Sequence, residues 1–166
     1  SDPEQRAAAA DLAGFAPERQ AAIDALQTAL RDPEPAVRRS ALGGLSLLAQ
    51  YATAHPGEGL KIAPTWAVEM LNSVYWTDRV RAAELLVTLT EARDRAALEQ
   101  IRERALESVA EMAAWNSLPH ALAAYILAGR LAGASEEEIR ESWARGERDK
   151  VLSLLPPPGR RNTGKR

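Results

Sequence analysis

Residues 32–48 read Asp32-Pro33-Glu34-Pro35-Ala36-Val37-Arg38-Arg39-Ser40-Ala41-Leu42-Gly43-Gly44-Leu45-Ser46-Leu47-Leu48, and this stretch decides the fold class. Asp32 is a good helix N-cap, because its carboxylate can accept from the free amides of a first turn. Pro33 and Pro35 suit a helix start, where the missing N–H removes nothing and φ is already near helical. Glu34 sets negative charge beside the positive end of the helix dipole. Val37, Ala41, Leu45 and Leu48 then recur at i, i+4, i+8 and i+11, with Leu42 and Ala49 widening an apolar stripe. Arg39, Gly43, Ser46 and Gln50 fall on the opposite side and should meet water. The stretch predicts an amphipathic helix from Asp32 to about His55, where His55-Pro56-Gly57-Glu58-Gly59 breaks it.

Working outward, the rest of the 166 residues reads the same way. The length fits one domain with its own core. Hydrophobic residues are 46% and charged ones 27%, the balance of an ordinary globular chain. Aromatic residues reach only 5% while Ala, Leu, Glu and Arg abound, which favours helices. No run of β-branched residues alternates with period two, so a sheet has no candidate strands. A net charge of −2 supplies no global pull toward nucleic acid or anionic lipid. The absence of cysteine excludes disulfides, thiol nucleophiles and thiolate metal sites. No apolar run approaches the roughly 20 residues needed to cross a bilayer. The compartment stays open between a cytoplasmic chain and one exported after loss of a leader.

Breakers and caps mark the remaining helices. Pro3 to Ala13 is a first helix stopped by Gly14, and Pro17 opens a second that runs to about Arg31. A fourth starts at Pro64 and carries Trp66, Val68, Met70, Leu71 and Val74. Thr77 or Asp78 caps a fifth ending near Leu89, with Val80, Ala83, Leu86 and Val87 inward. A long sixth helix runs to about Trp115. Asn116 or Ser117 caps a seventh over Leu118 to Ala132, apolar almost all round and therefore expected to be buried. Ser135 and Glu138, three apart, form a capping box that opens an eighth helix. Arg148 to Leu155 is a last short one. The domain is thus 1–155, and the Pro-rich, basic stretch 156–166 is expected to be a disordered tail.

The stretch has an echo. Val37-Arg38-Arg39-Ser40-Ala41-Leu42 aligns on Val80-Arg81-Ala82-Ala83-Glu84-Leu85 at an offset of 80 − 37 = 43, within the ~40–47-residue period of paired-helix repeats. A third copy starts near Leu118, 38 residues after Val80. Asp32, Pro33, Pro35, Val37, Arg38, Ala41 and Leu42, then Asp78, Val80, Arg81, Ala83 and Leu85, make the chain resemble the HEAT-repeat family, including the bacterial lyase-type HEAT-like repeats. The repeat signature is Asp32, Val37, Arg38, Asp78, Val80 and Arg81. That resemblance implies an all-α fold, a right-handed α-α superhelix of eight or nine helices stacked as antiparallel hairpins. It also implies a ladder between neighbouring repeats, made by an Asp at the turn and the Arg six residues on, as at Asp32 and Arg38. In the second copy the residue six before Arg81 is Tyr75.

The catalytic inventory is thin. His55 stands at a helix end beside Pro56, and His120 interrupts an apolar helix, where a partly buried, hydrogen-bonded imidazole is the ordinary case. No His-x-x-x-His pair, Asp-rich loop or glycine-rich phosphate cradle occurs, so no metal and no cofactor is expected. Trp66 and Trp143 sit on amphipathic helices and read as core. Trp76 and Trp115 lie just before helices and read as plugs for the hairpin turns or as aromatic edges offered to a partner.

Two functional readings follow. One is a non-enzymatic protein-interaction module or scaffold, favouring a monomer, that binds another protein or a peptide along its concave helical groove. The resemblance implies that the second helix of each pair lines that groove, which gives Arg39, Ser46, Gln50, Arg81, Glu84, Thr88, His120 and Arg130 as its binding residues. The other is a HEAT-like nucleic-acid-binding or base-processing protein. Trp76-Thr77-Asp78 followed by Arg79 and Arg81 resembles the aromatic, Asp and Arg set with which alkylpurine DNA glycosylases hold a damaged base. The acidic balance of the chain speaks against nucleic acid.

Overall fold

A computed structural model describes residues 2–155; the stretch 156–166, expected as a tail, lies outside the described residues. Prolines at helix starts and glycines past helix ends cut the chain much as its periodicity predicts. Among the described residues there are nine α-helices and no strand: α1 Pro3–Ala13, α2 Arg19–Ala29, α3 Pro35–Ala54, α4 Thr65–Met70, α5 Trp76–Leu89, α6 Arg95–Ala113, α7 Leu118–Leu131, α8 Glu136–Ala144 and α9 Arg148–Leu152. The odd helices pack in sequence order, α1 on α3, α3 on α5, α5 on α7 and α7 on α9. Each even helix packs on the odd helix that follows it, and α4 also packs on α6.

The apolar stripes face one continuous core. Ile23, Leu26, Leu42, Leu45, Leu85, Leu86, Ile101, Met112 and Leu127 are fully buried in it, each contributing about 1.5–3 kcal/mol of transfer free energy. Small residues set how closely the helices approach. A Cβ on Gly44 would stand 2.9 Å from a Leu26 methyl and 3.2 Å from the Ala10 carbonyl, so glycine lets α1 and α2 close on α3.

Three local expectations are corrected. Asp32 does not cap α3: the helix begins at Pro35 with Glu34 at the N-cap, beyond the reach of Asp32 to the first-turn amides. Asp32 instead accepts the Glu34 N–H at 3.0 Å and pairs with Arg6 at 2.7 Å. Neither Thr77 nor Asp78 caps α5, because both lie inside a helix that starts at Trp76. Helix α4 is only six residues long and leaves Val74 outside it. The segment before α4 takes up the slack. A single 3-10 turn over Pro56–Glu58 ends at Gly59, whose φ of 64° suits glycine. Residues 60–63 then run along α2, pinned by Gln20, which donates to Lys61 O at 3.1 Å and accepts from Lys61 N at 2.9 Å, and by Gln27, which accepts from Ala63 N at 2.9 Å.

The helix starts also revise the repeat register. α3, α5 and α7 begin at Pro35, Trp76 and Leu118, steps of 76 − 35 = 41 and 118 − 76 = 42 residues in place of 43 and 38. Arg38 and Arg79 each stand at the fourth position of their helices. Each holds its guanidinium 5.2 Å from the ring centre of an aromatic residue just ahead of the next odd helix, Arg38 over Tyr75 and Arg79 over Trp115. Arg81, which the sequence alignment sets on Arg38, is exposed and pairs with Glu84 one turn on at 3.1 Å.

Candidate interaction surface

The side of α3, α5 and α7 turned to solvent carries few charges. The exposed residues of α3 are Ala36, Arg39, Gly43, Leu47, Gln50, Thr53 and Ala54; those of α5 are Trp76, Arg81 and Glu84; those of α7 are Leu118, Pro119 and Leu122. On α6 every exposed residue except Ala96 is charged, and on α8 every one except Ala144. Lys, Glu and Asp are depleted at interface centres, where aromatic residues and Arg are enriched. In its scarcity of Glu and Asp the exposed side of α3, α5 and α7 is nearer to that composition than α6 and α8.

The sequence-predicted groove residues divide into three groups. Arg39, Gln50, Arg81 and Glu84 are exposed on α3 and α5, with Ser46 half-buried beside them. Thr88 is half-buried and lines an open cleft of about 920 Å³ with Gln20, Asp24, Gln27, Lys61 and Glu91. That cleft flanks the 60–63 segment, ahead of the short α4. His120 and Arg130 lie elsewhere. His120 is half-buried at the start of α7, its ring 4.8 Å from that of Trp76 and its Nδ1 2.8 Å from Ser117 Oγ. Arg130, at 6% exposure, is interior. Its guanidinium donates to Val87 O, to Thr90 Oγ1 at 2.9 Å and to both Glu136 oxygens, tying α7 to the ends of α5 and α8. Arg130 therefore does not reach the surface it was expected to line.

Part of the charge on the odd row is held inside it. Asp78 is 0% exposed, and its Oδ2 accepts from Arg38 Nε at 2.9 Å and from Ser73 Oγ at 2.8 Å, with Arg38 Nη2 at 2.8 Å. Arg38 spends its remaining nitrogen on the Asp32 and Pro33 carbonyls, both at 2.8 Å. The ladder expected between Asp32 and Arg38 thus runs from Arg38 to the next odd helix, while the Asp32 carboxylate turns back to Arg6 on α1. Arg6, hydrogen-bonded to Asp32, holds that carboxyl below its usual range. Glu136 is likewise lowered, chiefly by its hydrogen bonds from Arg130, and Glu111 by those from Arg79. Among the described residues no three His, Asp or Glu side chains gather as metal ligands would.

Apart from Trp76, which it reads as a turn plug or as an aromatic edge, the sequence misses the apolar residues on this surface. Val74 is 93% exposed and Trp76 53%, with Tyr75, Leu118, Leu122 and Leu47 also exposed. The spacing places Val74 on the fourth helix, and Leu118 and Leu122 on a helix apolar almost all round and expected to be buried. One signal could have separated Val74: Val74-Tyr75-Trp76 follows the turn residues Asn72-Ser73, so it straddles a connection. Leu118 and Leu122 share their face of α7 with the fully buried Tyr125, so spacing alone does not mark them as exposed. No family model matches this sequence, and no curated protein matches it.

Proposed function

We propose that this chain is a HEAT-like repeat module, a right-handed stack of helix hairpins, that binds another protein or a peptide across the outward side of α3, α5 and α7. The observation that carries the reading is the contrast in surface composition between that side and α6 with α8. Three further facts support the repeat architecture. The odd helices pack each on the next, their starts step by 41 and 42 residues, and the Arg-over-aromatic contact recurs at Arg38 and Arg79. A charge-poor strip across parallel helices suits a partner that supplies its own apolar anchors. No reactive constellation is invoked; Arg39, Gln50, Arg81 and Glu84 supply polar contacts at its rim.

The nucleic-acid reading has less support. Its Trp76-Thr77-Asp78 likeness needs the carboxylate beside the aromatic ring, and here Trp76 faces solvent while Asp78 is sealed against Arg38. The test is capture of partners by the immobilised chain, with Leu47→Glu and Leu122→Glu on the proposed side and Arg104→Glu on α6 as a control. The reading expects both Leu variants to lose the captured protein and the α6 variant to keep it. Retention by all three, with unchanged circular dichroism, would remove it.

A further inference from the structure

We propose that the open cleft beside residues 60–63 is a strand-addition site, where an extended segment of another protein pairs its main chain with Leu60 and Ile62. The cleft exists because the even row is short at this level. α2 has 11 residues and α6 has 19, but α4 has only 6. The segment 60–63 takes up part of the difference with neither helix nor turn. It leaves about 920 Å³ open over Ala49 and Ala52 of α3 and Leu89 of α5. Alternate residues of the segment turn their main chain to α2. Gln20 takes both the N–H and the carbonyl of Lys61, and Gln27 takes the Ala63 N–H. Leu60 and Ile62, the residues between, are half-buried and pack on the core.

The opposite main-chain edge of the segment is unpaired. Among the described residues no group hydrogen-bonds the N–H or the carbonyl of Leu60 or Ile62, and both residues line the cleft. Half-sheltered main-chain groups call for partners, and a free row of donors and acceptors is a template for a second extended chain. That edge also decides the class of guest. A helix has already spent its main-chain groups on itself. Nucleic acid would need several cations, and among the described residues lining the cleft Lys61 stands alone against Asp24 and Glu91. The apolar floor of Ala49, Ala52 and Leu89 takes an apolar side chain at every second position of the guest. Main-chain pairing then supplies affinity and the floor supplies selection. The inference uses none of the residues on which the preceding reading is tested, so the two fail separately.

The test is a random peptide library displayed on phage and panned against the immobilised full chain. The selected peptides are then synthesised with single main-chain N-methyl groups. The expected outcome is binding lost on methylation at every second residue and kept at the residues between. Ile62→Pro removes the free N–H without breaking a hydrogen bond of the fold, and should weaken these peptides at least about tenfold. Ala92→Trp fills the cleft from an exposed position in the α5–α6 connection. It should do the same with an unchanged thermal melt, and carries the test if Ile62→Pro fails to fold. No enrichment, or peptides indifferent to Ala92→Trp, overturns the inference. Methylation effects without a period of two overturn it as well, because a helical or side-chain-only guest would give them. Peptides released by Leu47→Glu or Leu122→Glu and not by the cleft variants overturn it and leave the preceding reading standing. Self-association seen by light scattering and abolished by Ala92→Trp makes a second copy the occupant, and overturns it too.

Discussion

The odd row and the α6–α8 side solve the placement of charge in opposite ways. On α6 and α8 most charges stand in water, some in exposed pairs such as Arg102 with Glu99 at 3.5 Å and Glu141 with Arg145, just past α8, at 3.1 Å. Exposed pairs of that kind are worth little, typically about 0–1 kcal/mol; their use is to keep a helix wet. In the odd row Arg38, Asp78 and Arg130 are buried, while Val74, Trp76, Leu118 and Leu122 are outside. Burying charge is expensive unless every partner is in place, and leaving large apolar groups in water forgoes their burial. The buried pairs tie neighbouring helices together, and the exposed apolar groups are left in water.

The sharpest way to break this contrast is to remove one partner of the buried pair. Asp78→Ala leaves the Arg38 guanidinium unpaired beneath Tyr75 and should destabilise the fold by about 3–5 kcal/mol, read from urea unfolding. Asp78→Asn keeps an acceptor for Ser73 and should lose less. A loss under about 1 kcal/mol for Asp78→Ala would mean that Arg38 simply turns to water, and the two regions would then not differ in kind.

The seam between the regions can be probed at Gly129 on α7. A Cβ there would fall 2.4 Å from Ile139 Cγ1 of α8, closer than any real contact. Gly129→Ala should therefore cost about 1–3 kcal/mol by forcing α8 outward. A neutral result in thermal unfolding would show α8 to be loosely docked. Glu136 crosses the same seam, reaching from the surface of α8 to the buried Arg130. Its folded pKa lies below the ordinary 4.5, so the stabilisation it brings is fully present above that value. It fades as pH falls through the lowered one. Glu136→Gln should lower the melting temperature at neutral pH, and the gap to the parent chain should close on acidification. A gap that stays constant to low pH would mean that the carboxylate charge is not what holds Arg130.

Much of this could be read from the residues, and the failures have physical causes. Helix number, the Ser135 capping box and the outward placing of Arg39, Gly43 and Gln50 follow from local spacing, which the chain carries within a few turns. The matching placement of Arg38 and Arg79 does not, because it depends on aromatic partners 37 and 36 residues away (75 − 38 and 115 − 79). Burial of Arg130 is invisible for the same reason, since its acceptors on α5 are about 40 residues distant. The exposed edge was hidden by a different error. An apolar residue beside a helix reads as core unless the turn it occupies is recognised, and Val74 sits in just such a turn.

The smallest effects sharpen the comparison most cleanly. Val74→Ser on the odd row and Arg104→Ala on α6 both alter exposed side chains, and each should shift unfolding free energy by no more than about 0.5 kcal/mol. Arg104 pairs with Glu69 at 2.6 Å, but both side chains are well exposed, so little is lost. The two should part company in solubility. Val74→Ser removes apolar surface from the Trp76 edge and should raise the concentration at which the chain stays monodisperse. Arg104→Ala removes a charge from the wet side and should leave that limit unchanged or lower it. If Val74→Ser instead destabilised the fold by more than about 1 kcal/mol, Val74 would be contributing to the core, and the outward apolar edge would need no partner to explain it.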